Sequence, residues 1–124
     1  MSALSPRQMF LLDEACRPIR KAFGGPPYLV GSASERGAYR DVDVRLMLLD
    51  EQYDRLEAAL EPGGMAFLGM AIGEYLAART GLNIDCQIQQ VTAANARFGG
   101  PRNPLGLREL TNYSGDAPKP AVQS

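Results

Sequence analysis

Two stretches of the chain alternate apolar and polar residues with a period of two, which predicts β-strands. In residues 40–49 the aliphatic positions fall on one face, and Asp41, Asp43 and Arg45 fall on the other. Residues 82–90 repeat the pattern, with Asp85 on the polar face. The apolar run at 28–31 predicts a further, shorter strand that precedes both.

Helical spacing accounts for most of the remaining apolar residues. A helix is predicted to begin at Ser5-Pro6 and to end at Gly24-Gly25, with Pro18 either kinking it or dividing it into two helices. Residues 51–60 predict a short helix, and residues 65–79 predict a longer one that Gly81 closes. The expected inward residues of these two helices are Tyr53, Leu56, Leu60, Leu68, Ile72, Tyr75 and Leu76.

This order of elements predicts an α/β (α+β) fold. A small, mixed, twisted sheet would carry helices mainly on one face and leave the carboxylate face open. Residues 1–113 are predicted to form a single domain. Residues 114–124, SGDAPKPAVQS, have almost no apolar content and predict a disordered tail.

Composition is typical of a small cytoplasmic domain. The net charge of −1 argues against a strong nonspecific nucleic-acid surface. Cys16 and Cys86 are too few for a disulfide framework and predict core thiols in a reducing compartment. No signal peptide is recognisable, and the apolar stretch 65–78 is too short to span a bilayer, so no membrane partner is expected.

Candidate chemistry is concentrated between residues 29 and 49. The chain contains no histidine, no CxxC and no phosphate-binding loop with a lysine. Asp41 and Asp43 lie about 6.6 Å apart along their strand, at a rise of about 3.3 Å per residue. If the strand of Asp85 is a neighbour with its polar face aligned, three carboxylates converge and repel one another. A hard divalent cation such as Mg²⁺ would relieve that repulsion.

The motif Gly31-Ser32, the Asp41-Val42-Asp43 block and Asp85 together resemble the nucleotidyltransferase superfamily of DNA polymerase beta. The resemblance covers about residues 18–92 and is strongest to minimal single-domain members, including a compact type found in bacteria and phages. Two departures are a short gap, of eight residues between Ser32 and Asp41, and an arginine, Arg45, where the family often has an apolar residue.

The resemblance implies transfer of a nucleoside monophosphate from a nucleoside triphosphate to a hydroxyl acceptor, with release of pyrophosphate. Asp41, Asp43 and Asp85 would be the catalytic residues and would hold two Mg²⁺ (or Mn²⁺) ions. Catalysis would then depend on positioning and electrostatics and would need no protein nucleophile.

Nucleotide-binding roles fall on four further residues. The resemblance places Gly31 and Ser32 at the turn that approaches the phosphates. Arg40 could approach the triphosphate or belong to a charged loop, and Arg45 could place a cation near the triphosphate or neutralise Asp43.

The acceptor is not specified by the sequence: a protein, a small molecule or a nucleic acid end are all open. A chain this short would take acceptor specificity from a dimer or a protein partner, and minimal relatives are often paired with a helical partner in toxin–antitoxin modules. The alternative is a non-catalytic module on the same fold that senses nucleotide or docks a partner, as a phage or toxin–antitoxin accessory protein would.

The glycine- and proline-rich segment 99–108 has two interpretations. It either folds back over the nucleotide, with Arg97 or Arg102 reaching phosphate and Asn103 reaching a base or ribose, or packs on the surface as a tail. The second interpretation is preferred. Gln87 and Gln89 share the strand face of Asp85 and either contact ligand or face solvent.

Overall fold

The computed structural model describes residues 4–31, 41–97, 100 and 102–107. The predicted nucleotide ligands Ser32 and Arg40, and the predicted tail at 114–124, lie outside these residues. The elements, in chain order, are α1 (Pro6–Phe23), β1 (Pro27–Val30), β2 (Val42–Leu48), α2 (Asp50–Ala59), α3 (Gly64–Thr80), β3 (Ile84–Gln90), α4 (Val91–Arg97) and β4 (Asn103–Pro104).

The four strands form one mixed sheet in the order β3-β2-β1-β4. Strand β1 is antiparallel to β2 and β4, whereas β2 and β3 are parallel. Parallel neighbours cannot be joined by a hairpin, and α2 and α3 supply the crossover between them. The predicted α+β class with a small mixed sheet is confirmed.

One face of the sheet forms the core. The alternating residues Val42, Val44 and Leu46 of β2 are fully buried, as the sequence pattern predicts. Helices α1 and α3 pack on this face and contact each other, and the Tyr75 hydroxyl of α3 donates to the Ala15 carbonyl of α1 over 3.0 Å. Other buried members of this core are Leu12, Cys16, Ile19, Leu29, Leu48, Leu76, Leu82, Cys86, Ile88 and Leu105.

Helix α1 begins with a reciprocal cap at Ser5. The Ser5 hydroxyl accepts from the Gln8 amide over 3.1 Å, and the Gln8 side chain accepts from the Ser5 amide over 2.8 Å. The helix then continues through Pro18 as one element, so the alternative of two successive helices is wrong. Burial of Leu12, Cys16 and Ile19 along one stripe holds the helix together despite the hydrogen bond that proline cannot make.

Helix α2 has no fully buried residue. Tyr53 and Leu56 are partly buried against the core, as predicted. Leu60 is 37% exposed, so its predicted inward position is wrong. The helix ends at Ala59, and Leu60 is already extended at the cap, which removes it from the helical stripe.

The segment after β3 differs most from the prediction. Asn103–Pro104 pairs with β1, and the Leu105 amide donates to the Pro27 carbonyl over 2.8 Å. Leu105 is fully buried in the core, so this part of the segment is neither a loop over the nucleotide nor a surface tail. The Gly106 amide donates to the buried carboxylate of Asp13 over 2.9 Å, which fixes the segment to α1.

Within the described residues, no helix combines the length and the apolar character that crossing a membrane requires.

Helix α3 approaches β3 closely because glycines face the strand. Gly69 and Gly73 are buried, and a Cβ at Gly69 would lie 2.9 Å from the Cys86 carbonyl oxygen. At Gly73 the nearest atoms would be 3.4 Å away, an ordinary contact. The closest helix–sheet approach therefore depends on Gly69.

We expect Gly69→Ala to lower the free energy of unfolding by about 1–2 kcal/mol, because the backbone it meets must shift. Gly73→Ala should be neutral or stabilising by up to about 1 kcal/mol, since alanine favours helix. Urea denaturation of both variants measures the difference. Equal effects at the two positions would contradict the close approach at Gly69.

Candidate functional site on the carboxylate face

Asp43 and Asp85 occupy partner positions on the neighbouring parallel strands β2 and β3. Because the strands are in register, both side chains lie on the face opposite the core. The side chains are 29% and 44% exposed, respectively, so both carboxylates reach solvent. The structure thus brings together two of the three carboxylates that the sequence singles out.

Asp41 lies one residue before β2 and is exposed. One of its carboxylate oxygens accepts from the Asn83 side-chain amide over 3.3 Å. It is close enough to Asp43 for the two charges to interact. Asp41 therefore lies at the margin of the carboxylate pair.

Arg45 is bound to both strands beside the pair. Its Nη1 donates to the Val44 carbonyl over 3.0 Å and to the Asp85 carbonyl over 2.8 Å. Its Nη2 lies 3.4 Å from Asp85 Oδ2 and 3.9 Å from Asp43 Oδ1. Of the two roles considered for Arg45, its position here corresponds to neutralisation of the carboxylates.

The pKa of Asp43 is raised above 3.8. The largest cause is the partial removal of its carboxylate from water, and repulsion by Asp85 and Asp41 adds to it. The Arg45 guanidinium opposes both effects without cancelling them. Arg45 therefore compensates only part of the cost of removing the ionised Asp43 carboxylate from water beside two other carboxylates.

Gly31 leaves the space that the Asp43 carboxylate occupies. Its φ of +74° is a left-handed conformation, which glycine adopts without strain. A Cβ at this position would collide with Asp43 Oδ2 and lie 3.3 Å from Asp43 Cγ. Besides any approach to phosphate, this glycine has a structural role that the sequence did not indicate.

A cleft of about 740 Å³ extends from Gly31 and Asp43 across the polar face of the sheet. Its walls are contributed by β1, β2, β3, α2 and α4. The residues that line it are Val30, Gly31, Asp43, Arg45, Tyr53, Asp54, Glu57, Gln87, Ile88, Gln89, Gln90, Ala93, Ala94 and Arg97.

The α2 wall of the cleft is acidic. Asp54 and Glu57 lie one helical turn apart and both are exposed. The pKa of neighbouring Tyr53 is raised, first by its burial and then by these two carboxylates. Arg97 on α4 is an exposed cation in the same cleft.

Two contacts fix the walls to one another. The Asp50 carboxylate at the start of α2 accepts from the Thr92 amide over 3.0 Å, and the pKa of Asp50 is lowered by its bonds to the hydroxyl and amide of Thr92. The Gln90 side chain donates to Asp54 over 3.0 Å. The first contact joins α2 to α4, and the second joins α2 to the last residue of β3.

Three of the predicted site residues, Gly31, Asp43 and Arg45, line the cleft. Asp41 and Asp85 do not line it. Gln87 and Gln89, which the sequence left undecided, do line it. Arg102 does not, because its guanidinium is turned to α4, where it donates to Asn95 Oδ1 over 2.6 Å. Sequence reasoning missed the acidic wall, and the i, i+3 spacing of Asp54 and Glu57 was its only signal.

The carboxylates fit a hard divalent cation in chemistry and charge. Oxygen is the donor such ions prefer, and a cation would offset both the desolvation of ionised Asp43, which is the main cause of its raised pKa, and the smaller repulsion from Asp85 and Asp41. Within the ranges that the structure describes, no group of three or more acidic or cysteine side chains is already arranged as a ligand set. Asp41 would have to turn away from Asn83 to join Asp43 and Asp85.

In comparisons with known proteins, no family model matched this chain, and no curated protein or solved structure matched it either.

We expect Asp43→Asn to raise the free energy of unfolding at pH 7 when metal is removed with a chelator. With its pKa raised, native Asp43 binds a proton more tightly than unfolded Asp43, so its ionisation costs the folded state. This gain in free energy of unfolding should shrink as the pH falls. It should disappear below about 3.8, where Asp43 is protonated in the folded and the unfolded protein alike. Urea denaturation across this pH range measures it.

Asp50→Asn supplies a control of opposite sign. The lowered pKa of Asp50 contributes stability above its unfolded pKa of 3.8, and that stability is lost as the pH falls through its folded pKa. A loss of stability in Asp43→Asn at pH 7 would contradict the raised pKa of Asp43 in the folded protein.

We expect Gly31→Ala to cost about 1–3 kcal/mol in free energy of unfolding, from backbone strain and from the collision with Asp43. Gly24→Ala has similar strain, with φ of +82°, but its Cβ meets nothing within 4 Å. Thermal unfolding should show the larger loss at Gly31, and combining Gly31→Ala with Asp43→Ala should remove the excess. Equal losses in the single variants would show that Asp43 is not the obstacle.

Proposed function

We propose that this protein is a metal-dependent nucleotidyltransferase that transfers a nucleoside monophosphate from a nucleoside triphosphate to a hydroxyl acceptor and releases pyrophosphate. The observation that carries the proposal is the placement of Asp43 and Asp85 opposite each other on parallel strands, beside Gly31 and a cleft. The resemblance of these positions to the polymerase beta superfamily supports the same reaction.

Asp43 and Asp85 would hold the cation, and Asp41 would complete the ligand set after a rotation of its side chain. When bound, Mg²⁺ or Mn²⁺ would lower the pKa of the acceptor hydroxyl and neutralise charge on the leaving phosphates. Gly31 leaves room for the Asp43 carboxylate beside the end of β1, and its backbone, which carries no side chain, would be the part of the turn that a phosphate approaches. Arg97 is placed to compensate negative charge at the α4 side of the cleft.

The cleft is large enough to receive a nucleotide. Its volume of about 740 Å³ falls within the roughly 300–1,000 Å³ of common small-molecule sites. Polar side chains that could orient a base or an acceptor, including Gln87, Gln90 and Tyr53, converge on it. Acceptor specificity would come from this cleft or from a protein partner that extends it. The two free buried cysteines suit a reducing cytoplasm.

A second candidate is a non-catalytic module that senses nucleotide or docks a partner. The position of Arg45 favours it, because the guanidinium already neutralises part of the charge on Asp43 and Asp85. A carboxylate pair that is stabilised in this way can persist without a metal. Metal dependence of nucleotide binding distinguishes the two candidates.

We expect one of the four nucleoside triphosphates to raise the melting temperature only together with Mg²⁺ or Mn²⁺. At a hundred times its dissociation constant a ligand stabilises by about 2.7 kcal/mol, or roughly 5–15 °C for a domain of this size. Asp41→Asn and Asp43→Asn should abolish the shift, whereas Glu14→Gln on the outer surface of α1 should retain it.

The same variants should then be tested for pyrophosphate release and transfer of label from the α-phosphate to an added acceptor. Loss of transfer in Asp43→Asn with a retained fold is the expected result. Transfer retained by that variant would refute the assigned chemistry. A nucleotide shift that needs neither metal nor Asp43 would favour the sensing module.

A further inference from the structure

Arg45 is anchored to backbone on both strands of the site. Its Nη1 donates to the carbonyl of Val44 on β2 and to the carbonyl of Asp85 on β3, over 3.0 and 2.8 Å. These acceptors belong to paired strands and cannot rotate away as a side chain can. The guanidinium is therefore fixed in position, independently of the two carboxylates that it also approaches.

The second nitrogen of the guanidinium faces the carboxylate pair. Nη2 lies 3.4 Å from Asp85 Oδ2 and 3.9 Å from Asp43 Oδ1, and the Arg45 side chain is only 15% exposed. A charge this little exposed is screened less by solvent and salt than one on the open surface. A divalent cation approaching Asp43 and Asp85 would meet a like charge that stays in place.

We propose that Arg45 is a built-in counter-cation that weakens binding of a free divalent ion, so that the ion binds tightly only together with a triphosphate. The negative charge of the triphosphate would offset the guanidinium as well as the metal. This inference rests on the proposed function, because it assumes that Asp43 and Asp85 hold the metal. It adds that Arg45 controls whether metal binds alone or as the metal–nucleotide complex.

The test is titration of Mn²⁺ alone, without nucleotide, followed by the electron paramagnetic resonance signal of the free ion. Arg45→Gln removes the charge, and Arg45→Met removes it while keeping a long side chain to fill the space. We expect either variant to bind Mn²⁺ roughly ten- to a hundredfold more tightly than the original protein, from the loss of one nearby positive charge. Arg45→Lys, which retains the charge, should stay closer to the original protein.

Arg17→Gln is the matched control, because it removes an arginine charge that is partly exposed on α1 and paired with Glu14, not with Asp43 or Asp85. It should leave Mn²⁺ affinity unchanged. Unfolding curves of all variants establish that each is folded before titration. Two folded charge-removing variants that bind Mn²⁺ no better than the original protein would overturn the inference. An equal loss of Mn²⁺ affinity in Arg45→Lys and Arg45→Gln would also overturn it. That result would indicate that Arg45 positions Asp85 through its hydrogen bonds and does not act through its charge.

Adding Asp43→Asn to each background separates this inference from the proposed function. If Asp43→Asn removes Mn²⁺ binding but Arg45→Gln does not tighten it, only the role of Arg45 is refuted. If Asp43→Asn leaves Mn²⁺ affinity unchanged, or if no variant binds Mn²⁺ detectably, the proposed metal site is refuted. The inference about Arg45 is then refuted as well. Binding that is detectable only after Arg45 is neutralised would support the inference.

Discussion

The parallel pairing of β2 with β3 is the constraint on which the site depends. It sets Asp43 opposite Asp85, and a slip of one residue would turn one carboxylate into the core. The same pairing puts Val44 beside Cys86 on the buried face. Burial on one side of the sheet therefore fixes the register of the charges on the other side. The positions of Asp43 and Asp85 are thus held by apolar packing on the opposite face of the sheet.

Glycines allow the close approaches on both faces of the sheet. Helix α3 lies against β3 where Gly69 and Gly73 present no side chain, and Gly31 leaves room for the Asp43 carboxylate on the opposite face. Gly69 and Gly31 act on opposite faces of the sheet, yet each lets backbone or carboxylate approach more closely than an alanine would allow. Arg45 then joins the two strands on the polar face through their carbonyl groups. Packing on the core face and hydrogen bonding on the polar face thus stabilise the same register of β2 and β3.

The strands and helices that the sequence predicted well were those with a long periodic pattern. The alternation of aliphatic and charged residues in β2 specified its two faces. In α1, the stripe of buried apolar residues kept the helix continuous although Pro18 interrupts its hydrogen bonding. What could not be predicted depends on distant partners. Helix α4 is only seven residues long, too short to show a period, and β4 contains a proline and owes its place to β1 and Asp13. For the site, sequence order and phase pointed to Asp43 and Asp85, but the neutralising position of Arg45 depends on the distance between two strands, which no local pattern encodes.

The two-residue strand β4 also determines how the sheet can grow. It covers the outer side of β1, and Pro104 has no amide hydrogen to offer to an incoming strand. A short edge that contains proline is a poor template for strand addition, whether by a second copy of the chain or by an extended peptide. Among the residues that the structure describes, the opposite edge of the sheet is β3, whose seven residues include Asp85. A protein that added a strand along β3 would thus come to lie next to the carboxylate pair.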